Sequence, residues 1–135
     1  MKVIQVKIEA GISGLSYDGE NYTDLNKTIN DLIVAHPNAT FFGVASGESM
    51  EGVGIFDGDL LVVDRSIRAK HGDVIVATYN NSFVCKLFDE NKGQLKSANP
   101  KFKPVTISEL DRCTFEGVVT SSVRMHRRSK LTSSF

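Results

Sequence analysis

At 135 residues, 41% hydrophobic and 24% charged, the chain can fill one modest core with a short arm beside it, and excludes two full domains. Sixteen basic residues balance sixteen acidic ones, so overall charge draws it neither to nucleic acid nor to an anionic membrane. No apolar run reaches the ~18 residues of a membrane span, and Lys2, Lys7 and Glu9 interrupt the stretch where a secretory signal would be apolar, so a soluble, cytoplasmic protein is expected.

Residues 2–9 alternate apolar and polar side chains (Val3, Ile4, Val6, Ile8), which predicts a short strand. Residues 10–21, rich in Gly, Ser, Asp and Asn, read as a flexible or extended connector. Leu25, Ile29, Leu32 and Ile33 then make one apolar helical stripe. Thr23 or Asp24 would cap that helix, and Pro37 would end it just after His36. From residue 40 the pattern is β, with strands predicted over 40–45, 60–64, 74–79, 83–88, 105–107 and 115–123. Asp57-Gly58-Asp59, His71-Gly72-Asp73, Asn80-Asn81, Asn91-Lys92-Gly93 and Asn99-Pro100 mark the turns between them. The fold class is therefore mostly β, with one N-terminal helix and a flexible N-terminal arm. The expected organisation is an arm over 1–22, a β domain over 23–124 and a basic flexible tail over 125–135. Arg124, Arg127, Arg128 and Lys130 carry the basic charge at that end, with no acid among them.

Cys85 and Cys113 lie far apart, without CxxC or Cys/His metal spacing, and read as buried free thiols in a reducing compartment. Neither a metal nor a cofactor is expected.

Two places carry chemistry against their surroundings. In Phe83-Val84-Cys85-Lys86-Leu87-Phe88 both strand faces are apolar apart from Lys86, so the strand should be buried on both sides. A desolvated lysine favours its neutral amine, which serves as a general base near neutral pH. The plainer alternative is a lysine at a sheet edge, its stem covering apolar surface and its head in water. In Ala45-Ser46-Gly47-Glu48-Ser49-Met50 a glycine turn follows an apolar strand and presents two hydroxyls. Ser49 there is a candidate nucleophile, although serine in such a turn is commonplace. His36 and His71 each adjoin a turn former and read as turn positions rather than bases for a serine.

The blocks His36-Pro37-Asn38-Ala39-Thr40-Phe41-Phe42, Ala45 to Met50, Gly54-Ile55-Phe56-Asp57-Gly58-Asp59-Leu60-Leu61-Val62-Val63-Asp64, His71-Gly72-Asp73-Val74-Ile75-Val76-Ala77 and Phe83-Val84-Cys85-Lys86-Leu87 stand in a characteristic order. Over roughly residues 25–123 the chain resembles UmuD-type members of the LexA/UmuD family, the self-cleaving Ser–Lys serine peptidases of family S24. The resemblance implies a compact LexA/UmuD C-terminal-domain-like β fold. It places the nucleophile at Ser49 and the base at Lys86, and gives the backbone N–H groups of Glu48 and Ser49 as oxyanion donors. Self-cleavage would fall at a small-residue–Gly bond: Ala10–Gly11 by residue type, or Ser13–Gly14 by its distance to the helix. Val6 and Ile8 upstream would add the segment to a sheet edge.

The same resemblance implies a homodimer contacting through residues 115–119, cleavage stimulated by the RecA–single-stranded DNA filament, and a UmuC-type Y-family polymerase as partner in the SOS response. Only about 24 residues precede the helix, with no helix-turn-helix, so sequence-specific DNA binding is not expected. A signal peptidase using the same pair is not expected, since no apolar run is long enough for a membrane anchor. The alternative is a non-cleaving UmuD-like module that regulates a polymerase or repressor by binding alone.

Overall fold

The computed structural model describes residues 4–5, 23–24, 26–106 and 113–127. The chain divides into two compact units, Met1–Ala35 and His36–Phe135.

In the first unit, β1 (Ile4–Gln5) pairs antiparallel with β2 (Thr23–Asp24). The remainder of the strand expected over 2–9, and the connector with Ala10, Gly11, Ser13 and Gly14, lie outside the described residues. The helix α1 is shorter than its apolar stripe suggests, spanning Ile29–Ile33, and none of its residues is buried. Thr23 and Asp24 do not cap it, because they belong to β2. Asn26 instead takes a left-handed turn at φ 50°, and Thr28 builds a reciprocal cap. Its hydroxyl accepts from the Asp31 N–H, and the Asp31 carboxylate accepts from the Thr28 N–H, both at 3.1 Å. The helix stops at β-branched Val34, already extended, before the Pro37–Ala39 turn begins.

The second unit is a seven-stranded antiparallel sheet. Its strands are β3 (Thr40–Val44), β4 (Leu60–Asp64), β5 (Val74–Tyr79), β6 (Ser82–Asp89), β7 (Gln94–Lys96), β8 (Val105–Thr106) and β9 (Cys113–Val123). They lie in the order β3-β4-β9-β5-β6-β7-β8. β4 and β5 match the sequence limits residue for residue. Asn80 and Asn81 hold φ of 51° and 66° and close the β5–β6 hairpin as two left-handed residues, the geometry that suits the twist of the flanking strands. The long strand β9 pairs with β5 through residues 113–118 and with β4 through residues 118–123. Gly117 is obligatory at this crossing: a Cβ there would lie 2.7 Å from Val63 Cγ1 and 2.9 Å from the Asp64 carbonyl oxygen.

Apolar clusters form in two places. Met50, Ile55, Leu61, Val63 and Val76 make one, with Phe41, Cys85, Leu87 and Ala98 packed against it. Ile75, Leu95 and Val118 make the other, with Phe88, Val105 and Cys113 around them. Arg124 is not part of a solvated tail. Its guanidinium donates to both carboxylate oxygens of buried Asp59, at 2.8 and 2.9 Å, and to the Gly54 carbonyl. It also stacks 4.3 Å from the Phe56 ring centroid. Residues 128–135 lie outside the described residues.

Candidate active site

β3 delivers the chain to Ala45, whose N–H donates to the Asp59 carbonyl and whose carbonyl accepts from Gly58 N–H, both at 2.8 Å. The Asp57-Gly58-Asp59 turn thus clasps the start of the loop that carries Ser49. Asp57 reaches further: its Oδ1 accepts the Gly47 N–H at 2.8 Å. Gly47 sits at φ +86°, a left-handed conformation that glycine adopts without a Cβ penalty. Beyond Ser49, Met50 is buried in the first core cluster and anchors the loop's far end. Its carbonyl accepts from the N–H groups of Val53 and Ile55, closing the short 3-10 helix Glu51–Val53 over it. Both ends of the turn are therefore fixed, and half-buried Ser49 stands between them. The buried Asp59 carboxyl lies below the usual carboxylate range, chiefly through its hydrogen bonds from Arg124.

Lys86 lies on β6 opposite Ile75 of β5, one residue before the β6–β7 ladder begins at Leu87. β6 as a whole is an inner strand, between β5 and β7. Burial pulls the Lys86 ammonium below the usual lysine value of 10.5, and the Cys85 thiol works weakly the other way. That thiol is itself pushed up to about 11 by burial, so it stays neutral near pH 7. The strand is less enclosed than its sequence suggests. Phe83 is 69% exposed and Cys85 only partly buried, because a cavity opens beside them. Lys86 Nζ donates to Ser97 Oγ at 2.7 Å and lies 5.8 Å from the Phe102 ring centroid.

Ser49 and Lys86 line the same cavity, of about 440 Å³, together with Ser46, Gly47, Met50, Val44 and Phe83. In this conformation no hydrogen bond joins the two; the amine is held by Ser97. Neither His36 nor His71 lines this cavity. His36 Nδ1 lies 2.5 Å from Asp64 Oδ2, and His71 Nδ1 accepts from the Glu90 N–H at 3.2 Å. Among the described residues no cluster of His, Cys, Asp or Glu fits a metal ion, and no helix is long and apolar enough to cross a membrane. Cys85 and Cys113 are free thiols and half-buried, not fully buried as their apolar runs suggest.

Residues 2–120 match the Peptidase S24-like family. The chain belongs to that family. The chain is similar to Protein MucA of Salmonella typhimurium, 38% identical over 117 residues, covering 84% of this chain and 80% of the relative. Protein ImpA of Shigella flexneri is 36% identical over 122 residues, 88% of this chain and 81% of that one. The LexA repressor of Photorhabdus laumondii is 37% identical over 97 residues, and there the match spans 70% of this chain but 48% of the repressor. Membership of the S24-like family makes this chain a serine peptidase in kind, with the fold expected of the LexA/UmuD group.

Two residues at this S24-like site escaped sequence reasoning. Ser97 holds the Lys86 amine, and the Asn99 side chain donates to the Glu48 carbonyl at 3.1 Å. Both belong to a stretch whose only sequence signal is the Asn-Pro turn, which says nothing of side-chain partners.

Proposed function

We propose that the chain is a self-cleaving Ser–Lys peptidase that removes its own N-terminal arm. The observation that carries this reading is the shared cavity: Ser49 and Lys86 line it, and the lysine is desolvated there. Neutral Lys86 takes the Ser49 proton, and Oγ attacks the carbonyl of Ala10 (or Ser13). The N–H groups of Glu48 and Ser49 stabilise the tetrahedral oxyanion. Collapse breaks the bond to Gly11 (or Gly14), whose amine leaves with the proton held by Lys86. Water, deprotonated by Lys86, then releases the acyl group from Ser49. A small residue before the scissile bond and a glycine after it let the backbone come close to the nucleophile.

The resemblance to the UmuD type and the match to MucA and ImpA support a role in SOS mutagenesis. In it the RecA–single-stranded DNA filament stimulates cleavage, and the shortened homodimer serves a UmuC-type translesion polymerase in the cytoplasm. One observation favours the rival, non-cleaving module: the Lys86 amine donates to Ser97 and not to Ser49. Incubation with RecA filament separates the two readings. Loss of residues 1–10 or 1–13 from the wild type, blocked in Ser49→Ala, is the result expected. An unchanged intact mass would leave the binding module.

A further inference from the structure

We infer that Asn99 is a positioning residue that sets the oxyanion-binding face of the Ser49 loop; this rests on the self-cleaving reading above. The argument begins with one peptide plane. The Glu48–Ser49 peptide is trans, as are all the others described, so the Glu48 carbonyl and the Ser49 N–H point in opposite directions from a rigid unit. Fixing one end of the unit fixes the other.

The carbonyl end is held from outside the cavity. Asn99 Nδ2 donates to the Glu48 oxygen at 3.1 Å, and the Glu51 N–H reaches the same oxygen at 3.3 Å. The Glu48 side chain turns the same way, with Oε1 3.4 Å from Lys101 Nζ. Neither Glu48 nor Asn99 lines the cavity, whereas Gly47, Ser49 and Met50 do. The Ser49 N–H is accordingly turned away from the Asn99 side, and no hydrogen bond among the described residues uses it. The neighbouring Gly47 N–H is already taken by Asp57. Of the two donors proposed for the oxyanion, Glu48 and Ser49, the Ser49 N–H is thus the one whose peptide is held by an amide from a different strand connection.

The same connection holds the base. Ser97 takes the Lys86 amine, and the Ala98 carbonyl between them accepts the Gly52 N–H at 2.7 Å. Residues 97–99 therefore tie nucleophile loop and base strand into one frame, with Asn99 on the oxyanion side and Ser97 on the lysine side.

Asn99 has a second role that lets the test discriminate. Its Oδ1 accepts the Lys101 N–H at 3.0 Å, a local turn that aspartate would preserve. Asn99→Asp keeps this acceptor and loses the amide donor; Asn99→Ala loses both. Self-cleavage would be followed by intact mass from pH 7 to 10.5 in the wild type and both variants, with thermal melts as a folding control. Both variants should reach a plateau rate at least tenfold below the wild type, within the hundredfold or more that loss of an oxyanion donor costs. In Asn99→Ala the pH of half-maximal rate should be unchanged, since Lys86 is untouched; a variant merely loosened in structure would not hold that midpoint. A wild-type plateau in either folded variant would overturn the inference and leave the self-cleaving reading intact. A wild type uncut at every pH would overturn both.

Discussion

Gly52 offers a way to loosen the frame around the site without touching a catalytic group. Its backbone is not left-handed, so alanine meets no φ penalty there. A Cβ at this position would lie 2.3 Å from the Ala98 carbonyl oxygen and 3.3 Å from the Ala98 Cβ. A carbon–oxygen contact settles near roughly 3.3 Å, so one backbone or the other must retreat by about 1 Å. The retreat stretches the Gly52–Ala98 hydrogen bond and carries Ser97 and Asn99 with it. Such overpacking costs about 1–3 kcal/mol of stability, while a misplacement of about 1 Å in a catalytic constellation lowers rate by about a hundredfold. Gly52→Ala should therefore keep a cooperative urea transition at a slightly lower midpoint yet cleave itself about a hundredfold more slowly at alkaline pH. Wild-type cleavage in this variant would refute the idea that residues 97–99 brace the site.

Asp57→Ala should slow cleavage by up to about tenfold, the scale of one net hydrogen bond, because the Gly47 N–H loses its acceptor; Asp57→Asn, which keeps an oxygen there, should cleave close to the wild-type rate in the same mass assay. Gly117→Ala should lower stability by about 1–3 kcal/mol in urea titration, since its Cβ meets Val63 and the Asp64 backbone at the β4–β9 crossing. Lys86→Met should raise the urea midpoint near pH 7. The folded lysine binds its proton less tightly than the unfolded one, so the wild type gains stability as pH rises from the lowered value to 10.5. The variant's advantage should shrink across that window, and an advantage constant with pH would mean the amine is not desolvated.

Much of the sheet was legible because its strands state their own limits. Leu60 to Asp64 and Val74 to Tyr79 are apolar runs bounded by Asp-Gly and Asn-Asn turns, and the structure ends them at the same residues. Lys86 stood out because it alone broke an apolar strand. β7 was missed, since three residues are too few to show alternation. The helix was over-read: an apolar stripe gives no warning that Thr28 caps better than Thr23 or Asp24, or that Asn26 turns the chain first. Arg124 was grouped with the basic run that follows it, because its partner Asp59 lies 65 residues away. Asn99 was hidden for the same reason, with Glu48 51 residues distant. Periodicity registers neighbours along the chain, whereas these side-chain pairs exist only once the sheet has formed.

The central claim is that Lys86, made neutral by its surroundings, activates Ser49, and the pH dependence of self-cleavage tests it most directly. Intact mass should be followed over time between pH 6 and 11 for wild type, Lys86→Ala and Ser49→Ala. The wild-type rate should rise as a single titration with its midpoint below the ordinary lysine value of 10.5 and then level off, with neither variant cleaving at any pH. A rate that climbs with hydroxide without levelling, or cleavage that survives in Lys86→Ala, would contradict it.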